Sequence, residues 1–159
     1  MKIGDILRIY KVIGSKTPIP ADCGELCGAK CCRGSEDDGM LLLPGEEKLM
    51  RHAPGMTVRT SENGRQYVIC RGTCRRALRP FACRIYPLVL LKDGDTVRVT
   101  ADPRARYHCP LLEATEYITP DFVRALRKAG KIIMESASGR AFLEDLAEEL
   151  RAYYRFTGK

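Results

Sequence analysis

Apolar residues recur at helical spacing at the start of the chain. Ile3, Ile6, Leu7, Ile9, Tyr10 and Ile13 are separated by Asp5, Arg8 and Lys11, which predicts a short amphipathic helix. Gly14 and the Pro18/Pro20 segment end it. Further on the pattern changes to short apolar runs bounded by turn residues. MLLLP at 40–44 predicts a brief buried strand, and Pro44-Gly45-Glu46-Glu47 is expected to open a helix of about two turns before Pro54-Gly55. Residues 56–61 and 65–70 flank Glu62-Asn63-Gly64, and Asn-Gly favours a hairpin because both residues tolerate positive φ. Residues 88–91 and 96–99 predict a second hairpin around Lys92-Asp93-Gly94-Asp95, so the middle of the chain reads as a small antiparallel sheet.

Beyond residue 118 helical period returns. Thr119-Pro120-Asp121 supplies an N-cap, a proline for the first helical position and an acidic first turn; Phe122, Leu126, Ala129 and Ile133 share one face. A second helix is expected from near Arg140, carrying Phe142, Leu146, Leu150 and Tyr153. The pair forms either a helical hairpin packed over the sheet or a docking surface; core packing is the expected role, because helices gain stability mainly by burying such a face. The fold class that follows is α+β: a small, cysteine-rich, metal-stabilised domain with short antiparallel hairpins and a C-terminal helical pair. Residues 1–118 would form the cysteine-bearing part and 119–159 a helical hairpin on it, in one compact unit of 159 residues.

No stretch approaches the roughly 20 apolar residues needed to span a bilayer, and no export signal is evident, so a soluble, cytoplasmic protein without a membrane partner is expected. Eight cysteines are the outlying feature. In a reducing compartment, clustered thiols point to metal rather than cross-links. They fall in two chain-order sets, Cys23, Cys27, Cys31 and Cys32 (C-x3-C-x3-CC), then Cys70, Cys74, Cys83 and Cys109. Four plus four invites two tetrahedral sites. Gly24, Gly28 and Gly34 would let the backbone turn tightly around the first. A Cys31–Cys32 disulfide would be strained, since adjacent Cα atoms lie about 3.8 Å apart and bridged ones usually need about 4.4 Å or more. If the Cys31–Cys32 peptide is extended, the side chains point apart and serve two different ions; alternatively one ligates and the other is structural.

Thiolates suit zinc, iron or an iron–sulfur cluster. The spacings match neither the paired C-x2-C units of a zinc ribbon nor the common ferredoxin patterns, so the ion stays open. The formal charge of +7 would ordinarily suggest a nucleic-acid partner. Eight thiolates would take it to about −1, and two divalent ions would return it to about +3. Arg71, Arg75, Arg76, Arg79 and Arg84 surround three cysteines in a stretch without acids between Glu62 and Asp93. Cations there favour thiolate and offset the charge of a four-thiolate site; the rival role is binding a phosphate or carboxylate substrate. Only Phe81 and Tyr86 could stack on bases nearby, so nucleic acid ranks last. His108, beside Cys109, is a further ligand or a titrating neighbour.

The cysteine order, RPFACRIYP at 79–87 and the late Cys109-Pro110 resemble the bacterial and archaeal zinc- or iron-chelating domain family, the YkgJ-type eight-cysteine proteins. The match covers roughly residues 20–112. The resemblance implies that all eight cysteines chelate, with Arg79, Pro80, Arg84, Tyr86 and Pro87 as the supporting segment. Flagellin lysine N-methylase looks like a relative carrying the same domain, which implies a methyltransferase-related alternative with a protein substrate. Against catalysis by known routes, the spacing departs from the radical C-x3-C-x2-C motif, the chain is short for a partial TIM barrel, and no G-x-G-x-x-G follows a strand.

Overall fold

The computed structural model describes residues 1–32, 39–72 and 74–157. Helix α1 spans Ile3–Ile13 and buries Ile6, Ile9 and Ile13, while Ile3 and Leu7 face solvent. Gly14 closes it at φ +56°, and its N–H bonds to the Tyr10 carbonyl at 2.8 Å. Such a φ is costly for any residue with a Cβ.

The one-turn α2 covers Gly24–Cys27 and ends at Gly28, which is left-handed at φ +59°. Lys30–Cys32 form a 3-10 turn, so the Cys31–Cys32 peptide is not extended. Gly34, expected to assist the same turn, lies outside the described residues. Strand β1, Met40–Leu41, follows.

Helix α3 covers only Glu47–Met50, one turn instead of two. Gly45 is the reason: at φ +93° it is not helical, and a Cβ there would lie 2.6 Å from the Met1 carbonyl oxygen. The helix therefore starts after Glu46, whose side chain turns inward.

Two separate antiparallel sheets replace the single expected one. In the first, β3 (Gln66–Cys70) lies between β1 and β2 (Met56–Thr60), with Val68 opposite both Met40 and Val58. In the second, β4 (Leu88–Asp93) pairs with β5 (Thr96–Ala101). The short α4, Phe81–Ile85, precedes β4.

Helix α5 runs over Pro120–Met134, with Thr119 Oγ1 accepting from the Phe122 N–H. Helix α6 spans Ala137–Thr157, beginning three residues before Arg140. Both pack on the β4–β5 hairpin, and α1 packs along α5. Strand β4 is buried on both faces. Leu88 and Leu90 join Phe122, Leu126 and Ile133 of α5 with Ile9 and Ile13 of α1. Val89 and Leu91, pointing oppositely, join Leu146, Ala147 and Leu150 of α6. The protein is thus a small α+β fold with short antiparallel hairpins and C-terminal helices, its main core built from α1, α4, α5, α6 and β4. No described helix is long and apolar enough to cross a membrane.

Candidate metal centre

All eight cysteines are unbridged. They lie on the loop-rich side of the fold: α2 and its 3-10 turn, the end of β3, the loop after it, α4 and the turn before Pro110. The folded chain regroups them. Cys23 packs with Cys109, Ile19, Ala105, Leu111 and Tyr86. The charges of Cys109 and Cys27 act on Cys23, and those of Cys23 and Cys27 act on Cys31. On this packing and mutual charge we take Cys23 and Cys109, with Cys27 and Cys31, together as a first group.

Cys32 goes the other way. Its carbonyl oxygen would lie 3.1 Å from a Cβ on Gly72, which sits at φ +86° between Cys70 and Cys74. Cys74 and Cys32 act on Cys70, and Cys32 and Cys74 act on Cys83. We take Cys32, Cys70, Cys74 and Cys83, which line one cavity, together as the second group. The chain-order sets exchange one member each, Cys32 for Cys109.

The two groups meet at Cys31 and Cys32, whose sulfurs are 4.0 Å apart. Either sulfur can donate across that contact. With Cys31 as the donor, its S–H lowers Cys32 to about 6 despite partial burial, and the Arg79 charge assists. Donation to Cys32, together with burial, pushes Cys31 up. Burial also raises Cys23, Cys70, Cys83 and Cys109, in Cys70 and Cys109 against a favourable N–H from Gly72 and Leu111 respectively.

Of the supporting arginines, Arg79 is the one turned to the sulfurs. Burial works to lower it, but the neighbouring Cys74, with Cys32 and Cys83, outweighs burial and raises it. It also acts on Cys23, so one guanidinium serves both groups. Arg71 and Arg75 are exposed, and Arg76 donates to the Lys16 carbonyl at 2.5 Å. Tyr86 stands by the first group: burial raises its phenol, followed by the charges of Cys109, Cys31, Asp102 and Cys27. His108 is exposed at the rim of a cavity of about 460 Å³. That cavity is lined by Cys31, Cys32, Cys70, Cys74 and Cys83, with apolar walls from Val68, Leu90 and Leu146; Cys23, Cys27 and Cys109 do not reach it.

Arg84 has a different role from the one its place among the cysteines suggested. It is 6% exposed, donating to the carbonyls of Arg79 at 2.6 Å and Ala77 at 2.8 Å, with its guanidinium carbon 4.0 Å from the Tyr10 ring centre. A cation over an aromatic face is attracted by the ring quadrupole. Beneath it lies Glu46, fully buried. Its carboxylate accepts from the Tyr10 hydroxyl, from Leu43 N–H at 2.8 Å and from Phe81 N–H at 2.7 Å. Burial raises Glu46 while these donors and Arg84 pull it down. Sequence reading missed Glu46 by assigning it to a helix start; Gly45 directly before it, a helix breaker, was the available signal.

Compared with family models, curated proteins and solved structures, the chain gives no match. Among the described residues, no three or more His, Cys, Asp or Glu side chains are drawn closely enough together to hold an ion as they stand. What the cysteines offer is chemical: eight thiols free of disulfides, with the Arg79 cation beside them. Thiolate is the ligating form, and Arg79 favours it.

Proposed function

We propose that this chain is a metal-binding cysteine-cluster protein that takes thiophilic metal, zinc or iron with an iron–sulfur cluster as one form of the latter, in two four-thiolate groups. The observation that carries the reading is eight unbridged cysteines from separate chain segments, with Cys23 packed on Cys109, and Cys32, Cys70, Cys74 and Cys83 lining one cavity. Cys23, Cys27, Cys31 and Cys109 would hold one centre, and Cys32, Cys70, Cys74 and Cys83 the other. Bound metal would draw the sulfurs inward and tie loops that the apolar core does not reach. Such sites can supply roughly 10 kcal/mol or more of folding free energy. The resemblance to the zinc- or iron-chelating family, carried by the same eight cysteines, supports the reading, and free thiols in this number suit a reducing cytoplasm.

The test is elemental analysis with a UV–visible spectrum on protein purified without oxygen. Two equivalents of zinc in a colourless sample, or iron with absorption near 400 nm, is the expected result. Metal-free protein that takes up neither ion after reduction overturns it.

The cavity of about 460 Å³ beside the second group favours a second reading, a group-transfer enzyme with protein-lysine methylation as the leading instance. All four cysteines of the second group line that cavity, against Cys31 alone of the first; pockets that hold small molecules commonly have about 300 to 1,000 Å³. Incubation of metal-loaded protein with labelled S-adenosylmethionine and lysine-containing protein substrates tests it, and absence of transfer removes it.

A further inference from the structure

The Glu46 carboxylate is the sole fully buried acid among the described residues and touches none of the cysteines through a hydrogen bond. Its partners lie on three elements. Tyr10 belongs to α1, Leu43 to the segment after β1, and Phe81 to the first turn of α4, the helix that carries Cys83. A buried carboxylate with three donors is strongly directional, because each donor left without it would stay unpaired away from water. Arg84, one residue beyond Cys83, closes the same network over Tyr10 and ties α4 back to the carbonyls of Ala77 and Arg79.

We infer that Glu46 is a positioning residue for Cys83: by fixing the start of α4 against α1, it sets where the second sulfur group is assembled and leaves the first group untouched. The inference rests on the two-centre reading above for its metal consequence, though not for its geometric one. In the first group Cys23 and Cys109 pack with Ile19, Ala105 and Leu111, and Tyr86, the residue after α4, joins them at the end of that helix away from Glu46 and Phe81. Phe81 and Ile85 are buried in the main core with Ile9 and Leu43, so this short helix ties that core to Cys83.

The geometric consequence is read on reduced, metal-free protein by alkylation with iodoacetamide, each cysteine followed by peptide mass spectrometry. In Glu46→Gln, Cys83 should react at least about fivefold faster than in the wild type, while Cys23, Cys27 and Cys109 keep their rates. Tyr10→Phe, which removes one donor and leaves both backbone bonds, should raise Cys83 by about twofold with the same selectivity. It also keeps the test decisive should Glu46→Gln fail to fold.

The metal consequence is read by zinc protection in the same assay. Zinc should still shield the first group in Glu46→Gln and shield the second at least about tenfold less well. A wild type that zinc shields at no cysteine defeats the two-centre reading. Cys83 rates that rise no more than those of Cys109 in either variant, or equal shielding of both groups in Glu46→Gln, overturn the positioning role.

Discussion

The sulfurs of Cys31 and Cys32 stand 4.0 Å apart on one 3-10 turn, yet their other sulfur neighbours are entirely different. The charges of Cys23 and Cys27 act on Cys31, whereas the charge of Cys32 acts on Cys70 and Cys83. Adjacent residues diverge here because the turn lies between two loops, not because the peptide is extended. The pair is the point at which the two groups are covalently joined.

Zinc shielding of the individual cysteines should therefore split by variant. Cys32→Ser should expose Cys70, Cys74 and Cys83 to alkylation in the presence of zinc while Cys23, Cys27 and Cys109 stay protected. Cys31→Ser should give the opposite pattern. Loss of all protection from either change would mean that the sulfurs act as one site.

The pH dependence of the pair follows from the contact between its sulfurs. Cys32 is lowered to about 6 by the Cys31 S–H, and the thiolate is the nucleophile, so in metal-free protein its alkylation rate should rise through about pH 6 and level off by neutrality. Cys31, shifted the other way, should stay slow across that range. Cys31→Ala removes the donor and should move the Cys32 rise toward the ordinary thiol range, measured by the same peptide-resolved rates.

Helix α5 approaches β5 through a glycine. A Cβ on Gly130 would come within 2.7 Å of Val97 Cγ1. Helix propensity favours alanine by about 0.5–1 kcal/mol, but overpacking costs about 1–3 kcal/mol, so Gly130→Ala should destabilise by about 1 kcal/mol in urea unfolding. Adding Val97→Ala should make the alanine at 130 favourable within that background, a reversal of sign that a propensity effect alone cannot produce.

Glu149 of α6 receives Arg65 and Arg104, each at 2.5 Å, and Arg104 also pairs with Asp102 at 2.7 Å. The group links α6 to the β2–β3 turn and to the segment after β5. With Glu149 and Arg104 side chains both 39% exposed, solvent screens the pairing. Glu149→Ala should cost no more than about 1 kcal/mol, and the loss should shrink in high salt.

Much of the scaffold was legible along the chain. Asn63-Gly64 and Gly94 placed both hairpins, and the spacing of Phe122, Leu126, Ala129 and Ile133 marked a face that is wholly buried. These signals are local: a turn or helical stripe needs only neighbours within a few residues. The errors arose where a distant group decided. The helix expected from Pro44 was shortened by the approach of the Met1 carbonyl to Gly45, and the single expected sheet became two.

The amino-acid order by itself determined the inventory: eight soft ligands, an arginine-rich segment among them, and two amphipathic helices able to build a core without their help. Which cysteine stands with which was decided only when the chain folded, because a sulfur's neighbours depend on how loops cross in space and not on their sequence spacing. The exchange of Cys32 for Cys109 and the buried Glu46 that ties α1 to the Cys83 helix are both such long-range outcomes.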